Sequence, residues 1–232
     1  MIHLLFDLLA YLLAWLISRH FYAVREPWKD DDQKWYYYTA ATVGFVIGAV
    51  GLSTVNNYLS LGTWTMGKSI LGALLGAIVA VEIFKKATGI KGSTGAYFVP
   101  SLAVGIAVGR LGCFFAGVED FTYGLPTTLP WGVDFGDGVL RHPVQLYESG
   151  MMFLFFGYAW WLYKKRRSLF EREIFYRFIL FYAAQRFIWE FFKSYGTFIG
   201  GLNVFQWACL GLMIYAFYYL QRSRNGVLQP QI

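Results

Sequence analysis

The chain has 232 residues, of which 57% are hydrophobic and 21% aromatic against only 15% charged. One core of this length could not hide so much apolar surface, so a soluble globular domain is excluded and an integral membrane protein is expected. The formal charge of +6 does not mark a nucleic-acid binder. The basic residues sit at the ends of apolar segments and not along one aromatic-rich face.

Apolar runs long enough to cross a bilayer fall in chain order at 2–18, 37–59, 65–84, 95–116, 143–163, 173–192 and 203–221. They predict a single all-α membrane domain over 1–232 with seven transmembrane helices. The first run, LLFDLLAYLLAWLI, has neither a basic stretch before it nor a small-residue cleavage site after it, so it reads as a retained helix. REPWKDDDQKW, between the first and second runs, reads as a polar connection. Short-loop Lys and Arg orient the spans. With the N-terminus outside and the C-terminus inside, 15 of the 20 basic residues lie on the cytoplasmic side, including Arg19, Arg25, Lys29, Lys85 and the KKRR run from Lys164 to Arg167. Lys68, Arg110, Arg141, Arg186 and Lys193 are the exceptions. Gly44 with Gly48, Gly72 with Gly76, and the row Ser101, Gly105 and Gly109 place small residues on single helix faces, where backbones can approach closely.

The exceptions carry the chemistry. A charge at mid-bilayer costs roughly 2.5–3.5 kcal/mol, so such groups line cavities or pathways. Arg110 ends the glycine-spaced fourth run in GRLGCFFAGVED, with Gly112, Cys113, Glu119 and Asp120 close behind. The short loop between the fourth and fifth runs leads into RHPVQLYE, with Arg141, His142, Gln145, Tyr147 and Glu148. On the sixth run Tyr182, Arg186, Glu190 and Lys193 form one stripe about three turns long. Guanidinium groups stay charged and fork onto phosphate oxygens, so Arg110 and Arg186 together fit a phospholipid headgroup. A plain Arg186–Glu190 helix pair is the simpler alternative.

GRLGCFFAG followed by a glutamate, PWGV, RHPVQLYE, and Tyr182 with RFIWEFFK ahead of a closing helix containing Gln206 resemble the bacterial prolipoprotein diacylglyceryl transferase family. The resemblance spans about 109–206. It implies transfer of sn-1,2-diacylglyceryl from phosphatidylglycerol to the lipobox cysteine of preprolipoproteins, releasing glycerol phosphate. The site would face the extracytoplasmic side of the bacterial inner membrane among membrane lipids, with no nucleic-acid partner and no cofactor. By motif position Arg110 and Arg186 are the essential arginines. Tyr182, Glu119, Glu148 and Glu190 fall among the family's polar cavity residues, and Gln145, Tyr147, Arg141, Cys113 and Gly112 line the substrate region.

Four departures stand out. Cys113 replaces the family's asparagine, Leu71 its third-helix histidine, and Asp7 a first-helix tyrosine, and the chain is shorter. Without that histidine, deprotonation of the acceptor thiol needs another group, since the thiolate is the nucleophile. His142 is the leading candidate, although a histidine before proline also caps helices. Asp120, Glu119 and Lys68 are others. Cys113 reads as a packing residue or a reactive thiol, and Asp7 as an inward structural acid or a functional one. No Cys and His cluster at sequence spacing for a metal is visible. Two rivals remain: a paralogue with another acceptor, and a lipid-binding or transport protein without catalysis.

Overall fold

A computed structural model of the chain describes residues 2–21 and 30–225. Its regular structure is almost entirely helical. Seven α-helices occur among the described residues: α1 (Ile2–Phe21), α2 (Asp31–Leu61), α3 (Ile70–Thr88), α4 (Val99–Ala116), α5 (Val144–Lys165), α6 (Arg167–Glu190) and α7 (Val204–Arg224). Each expected run has its helix. Three stretches, Ile2–Phe21, Asp31–Ser60 and Ala96–Asp120, are long and apolar enough to cross a membrane by length and composition. The others carry more polar atoms: Glu82, Lys85 and Lys86 near the end of α3, and seven charged side chains along α6.

The boundaries move where local chemistry dictates. The third helix starts at Ile70 and not near residue 65, because Ser69 caps it by accepting the Gly72 N–H at 3.3 Å. The second begins earlier than expected. Asp30 accepts from Gln33 N at 2.7 Å, and Asp31 and Asp32 lie at the positive end of the helix dipole. The KKRR run is helical on both sides of one break at Arg166, so α5 and α6 are separated by a single residue. Arg25 and Lys29, assigned to the inner loop, lie outside the described residues.

The chain divides into two compact units. One contains α2, α3 and α7. In it the glycine rows expected to allow close approach face each other. A Cβ on Gly48 would run into the Gly72 carbonyl and one on Gly72 into that of Gly48, with Gly44 and Gly76 related in the same way. Gly48→Leu is therefore expected to force α2 and α3 apart and destabilise this unit by at least about 1–3 kcal/mol, seen as a lowered unfolding midpoint in detergent. On the C-terminal stretch of α3, Glu82 accepts from Lys85 at 2.8 Å and from Tyr215 and Tyr219 of α7 at 2.8 and 3.0 Å. Lys85 is thereby a buried, paired cation and not a free loop charge. Gln206 and Asn203 close the start of α7 as a reciprocal capping box.

The other unit contains α1, α4, α5 and α6, with the loop between α4 and α5. Phe6 of α1 covers Gly112 and stacks on Phe115 at 5.2 Å, so α1 lies close against α4. Of the third small-residue row, a Cβ on Gly105 would meet Ala14, and one on Gly109 would meet nothing within 4 Å among the described residues. Ser149 of α5 donates to the Ala107 carbonyl of α4 at 2.9 Å. Phe155 of α5 packs on Phe178 and Phe181 of α6. The loop folds into a small antiparallel hairpin, β1 (Val133–Asp134) and β2 (Leu140–Arg141), with Val133 opposite Arg141.

Candidate active site

Helix α5 opens at Pro143–Val144, and its first two turns place Gln145 and Glu148 three residues apart on one side. The chain leading to this point is stitched in place by the backbone. Gly124 N donates to His142 O, His142 N to Leu125 O, and Leu125 N to Phe192 O just past the end of α6, at 3.2, 3.0 and 2.7 Å. Glu148 is thus carried to a spot where α4 and α6 converge.

Glu148 is the hub of a buried ion cluster. Its Oε1 accepts from Arg186 Nη1 at 2.5 Å and from Lys193 Nζ at 2.8 Å. Its Oε2 lies 2.5 Å from Arg110 Nε, an ion pair without hydrogen-bond alignment. Arg186 reaches Glu190 with Nη2 at 2.7 Å, and Lys193 lies 3.6 Å from the same carboxylate. Arg110 keeps 11% of its side-chain surface exposed and the other four 4% or less. Charges this deep persist only in mutual contact. Yet the count is uneven: three cations surround two carboxylates. Arg110 Nη2 has no hydrogen-bond partner among the described residues, and neither does the fully buried Gln145 amide, one turn before Glu148. Three helices therefore present excess positive charge and unused hydrogen-bonding capacity at one buried place, which suits an anion.

The other candidates separate into groups. Tyr182 is buried one turn before Arg186 and stacks on Phe178. Arg141 pairs with Asp137 at 2.7 Å and lies over the Tyr123 ring, holding the hairpin and not the ion cluster. That hydrogen bond keeps the Asp137 carboxyl below the usual carboxylate range. His142 packs edge-on against Phe192 and approaches the Tyr147 hydroxyl at 3.5 Å, while Tyr147 accepts from Trp131 Nε1 at 2.8 Å. It makes no side-chain cap on α5. Glu119 is exposed, and its neighbour Asp120 turns inward. Gly112 serves the α1–α4 contact under Phe6. Lys68 is exposed in the other unit, and Leu71 is a core residue of α3.

Two groups escaped sequence reasoning. Lys193 was visible on the α6 stripe but not as a partner of Glu148. His3, 110 residues before Cys113, brings its Nε2 to 3.7 Å from Cys113 Sγ and 3.0 Å from Asp120 Oδ1, while its Nδ1 lies 3.2 Å from Asp7 Oδ2. The only hint was that His3 and Asp7 are four apart on an otherwise apolar helix. Arg110 Nη1 stands 4.0 Å from Cys113 Sγ, so this group borders the ion cluster.

An all-helical membrane protein with a buried, net-positive centre assembled from α4, α5 and α6 is the class that fold and site define. Family comparison then gives the particular assignment. The chain belongs to the prolipoprotein diacylglyceryl transferase family, whose model matches residues 3–222. A phosphatidylglycerol–prolipoprotein diacylglyceryl transferase of Azoarcus sp. BH72 is 30% identical over 242 residues, covering 94% of this chain and 89% of the relative. That of Bordetella avium is 30% identical over 228 residues, covering 89% and 84%. The Bordetella parapertussis enzyme is 35% identical over 161 residues, a stretch that covers 65% of this chain and 59% of the relative. No solved structure matches.

Proposed function

We propose that this chain transfers sn-1,2-diacylglyceryl from phosphatidylglycerol to the lipobox cysteine thiol of preprolipoproteins and releases glycerol phosphate. The observation that carries the reading is the excess of one cation in the buried Arg110–Glu148–Arg186–Glu190–Lys193 cluster. A phosphodiester is the monoanion that would balance it. Arg110 and Arg186 bind the phosphate, and the Gln145 amide, which has no hydrogen-bond partner among the described residues, supplies a further hydrogen bond. Tyr182 completes the wall beside Arg186. As the glyceryl C–O bond breaks, charge grows on the leaving phosphate oxygen, and guanidinium groups already held in position stabilise it without reorganising.

The names of the relatives support the donor and the acceptor class. The Lys and Arg pattern supports seven spans in one domain of the bacterial inner membrane, with the N-terminus and active site extracytoplasmic. The lipid would enter between helices, keeping its acyl chains in the bilayer.

The test is to incubate the purified chain with labelled phosphatidylglycerol and a lipobox peptide. Equal amounts of glycerol phosphate and of peptide heavier by one diacylglyceryl group are expected. Lipid retained on the protein with neither product formed would overturn the enzymatic reading in favour of a lipid binder.

A further inference from the structure

We propose that His3, Cys113 and Asp120 form a site for a zinc-like divalent metal, whose fourth position takes the acceptor thiol. The coordinating atoms are His3 Nε2, Cys113 Sγ and Asp120 Oδ1, all within 4.8 Å of one another. Zn–S, Zn–N and Zn–O bonds of about 2.3, 2.0 and 2.1 Å at tetrahedral angles would separate the ligand atoms by about 3.4–3.6 Å. The Sγ to Nε2 and Nε2 to Oδ1 distances, 3.7 and 3.0 Å, bracket that range.

The groups around the three atoms position them as ligands. Asp7 lies against His3 Nδ1 at 3.2 Å and can hold a ring proton there while Nε2 faces the site. This carboxylate behind a ligating imidazole is the usual support of a metal-bound histidine. Thr122 donates to Asp120 Oδ2 at 2.6 Å, orienting Oδ1 toward His3. A divalent ion bound here would have its charge neutralised by the Cys113 thiolate and the Asp120 carboxylate. Sulfur, imidazole and carboxylate together select a borderline metal over calcium or magnesium.

A bound ion would activate the acceptor thiol. Three protein ligands leave a fourth position open, and a thiol that coordinates there gives up its proton. This role rests on the transferase reading, whereas the metal site rests on geometry alone. In the step, the peptide thiol binds the metal and its proton passes to water. A sulfur lone pair then forms the S–C bond to the glyceryl carbon as the C–O bond breaks. The C–O electron pair stays on the phosphate oxygen, held by Arg110, whose Nη1 lies 4.0 Å from Cys113 Sγ. The thioether product, a weaker ligand, leaves. The exposed edges of His3 and Asp120, 40% and 16% of their side chains, provide a way in.

The test uses the full chain in detergent, stripped of metal and titrated with Co²⁺. One Co²⁺ per chain is expected, with the near-ultraviolet thiolate-to-metal absorption of a tetrahedral site. Cys113→Asn should abolish that band, and His3→Ala and Asp120→Asn should each weaken binding at least tenfold. Asp7→Asn should weaken it by about 10–100-fold, and Cys209→Ser in the core of the other unit should change nothing. A lipobox peptide should intensify the band, and the same peptide with serine for cysteine should not. No stoichiometric Co²⁺, or a band that survives Cys113→Asn, would overturn the site. Full-rate transfer by a protein that binds no Co²⁺ and ignores chelators would also overturn it while leaving the transferase reading intact. A Co²⁺ site that ignores the cysteine peptide would overturn the thiol's role alone.

Discussion

Arg186→Ala lowers diacylglyceryl transfer by about a thousandfold or more, beyond any loss of folded protein. The change removes the cation that grips both carboxylates. Glu148 keeps Arg110 at 2.5 Å and Lys193 at 2.8 Å, and Glu190 keeps Lys193 at 3.6 Å. The remaining cluster has two cations and two carboxylates, so it is neutral and no longer attracts a phosphodiester. Loss of one preorganised donor to a developing oxyanion commonly costs 10²–10³ in rate, and loss of the excess charge adds to it. Arg186→Lys restores the charge but not the planar fork, so it should recover only part of the rate. Arg110→Ala should follow the same pattern. Transfer assays paired with unfolding midpoints test this, and near-normal activity in both alanine variants would remove the anion site from the mechanism.

Glu148→Ala acts on the fold as well as the chemistry. It leaves Arg110, Arg186 and Lys193 buried together with Glu190 as the remaining carboxylate of the cluster among the described residues. Removing one partner from a buried charge network costs about 3–5 kcal/mol, because the partners keep their desolvation without compensation. A large fall in the unfolding midpoint in detergent is expected, with increased protease sensitivity in membranes. Glu148→Ala combined with Lys193→Met removes one of the stranded cations and should regain part of the stability without regaining activity. An unchanged midpoint in the single variant would mean that Glu148 is not the hub.

These two outcomes separate the roles of neighbouring charges that looked alike as sequence. Arg110 and Arg186 could be paired in advance because both broke the inside-positive pattern near the ends of apolar runs. Glu148 was one of several polar residues in RHPVQLYE, and nothing local distinguished it as the carboxylate that joins three cations. Glu119 and Asp120 were equivalent by position. A single 3₁₀ turn after α4 exposes the first and directs the second to His3. His142 stands in a motif beside Tyr147 and Phe192, whereas His3, which no motif marks, stands beside Asp7, Cys113 and Asp120.

The sequence by itself determined what depends on short-range order: seven helices from seven apolar runs, glycine rows on single faces of α2 and of α3, and the aligned stripe on α6. Helical periodicity and hydropathy are local, so spacing along the chain reports them directly. Only the tertiary structure decided which charges meet. Arg186 finds Glu148 across 38 residues and His3 finds Cys113 across 110, and such pairings follow from how α1, α4, α5 and α6 pack. A buried charge must satisfy whatever the packing brings within a few ångströms, and sequence spacing carries no information about that.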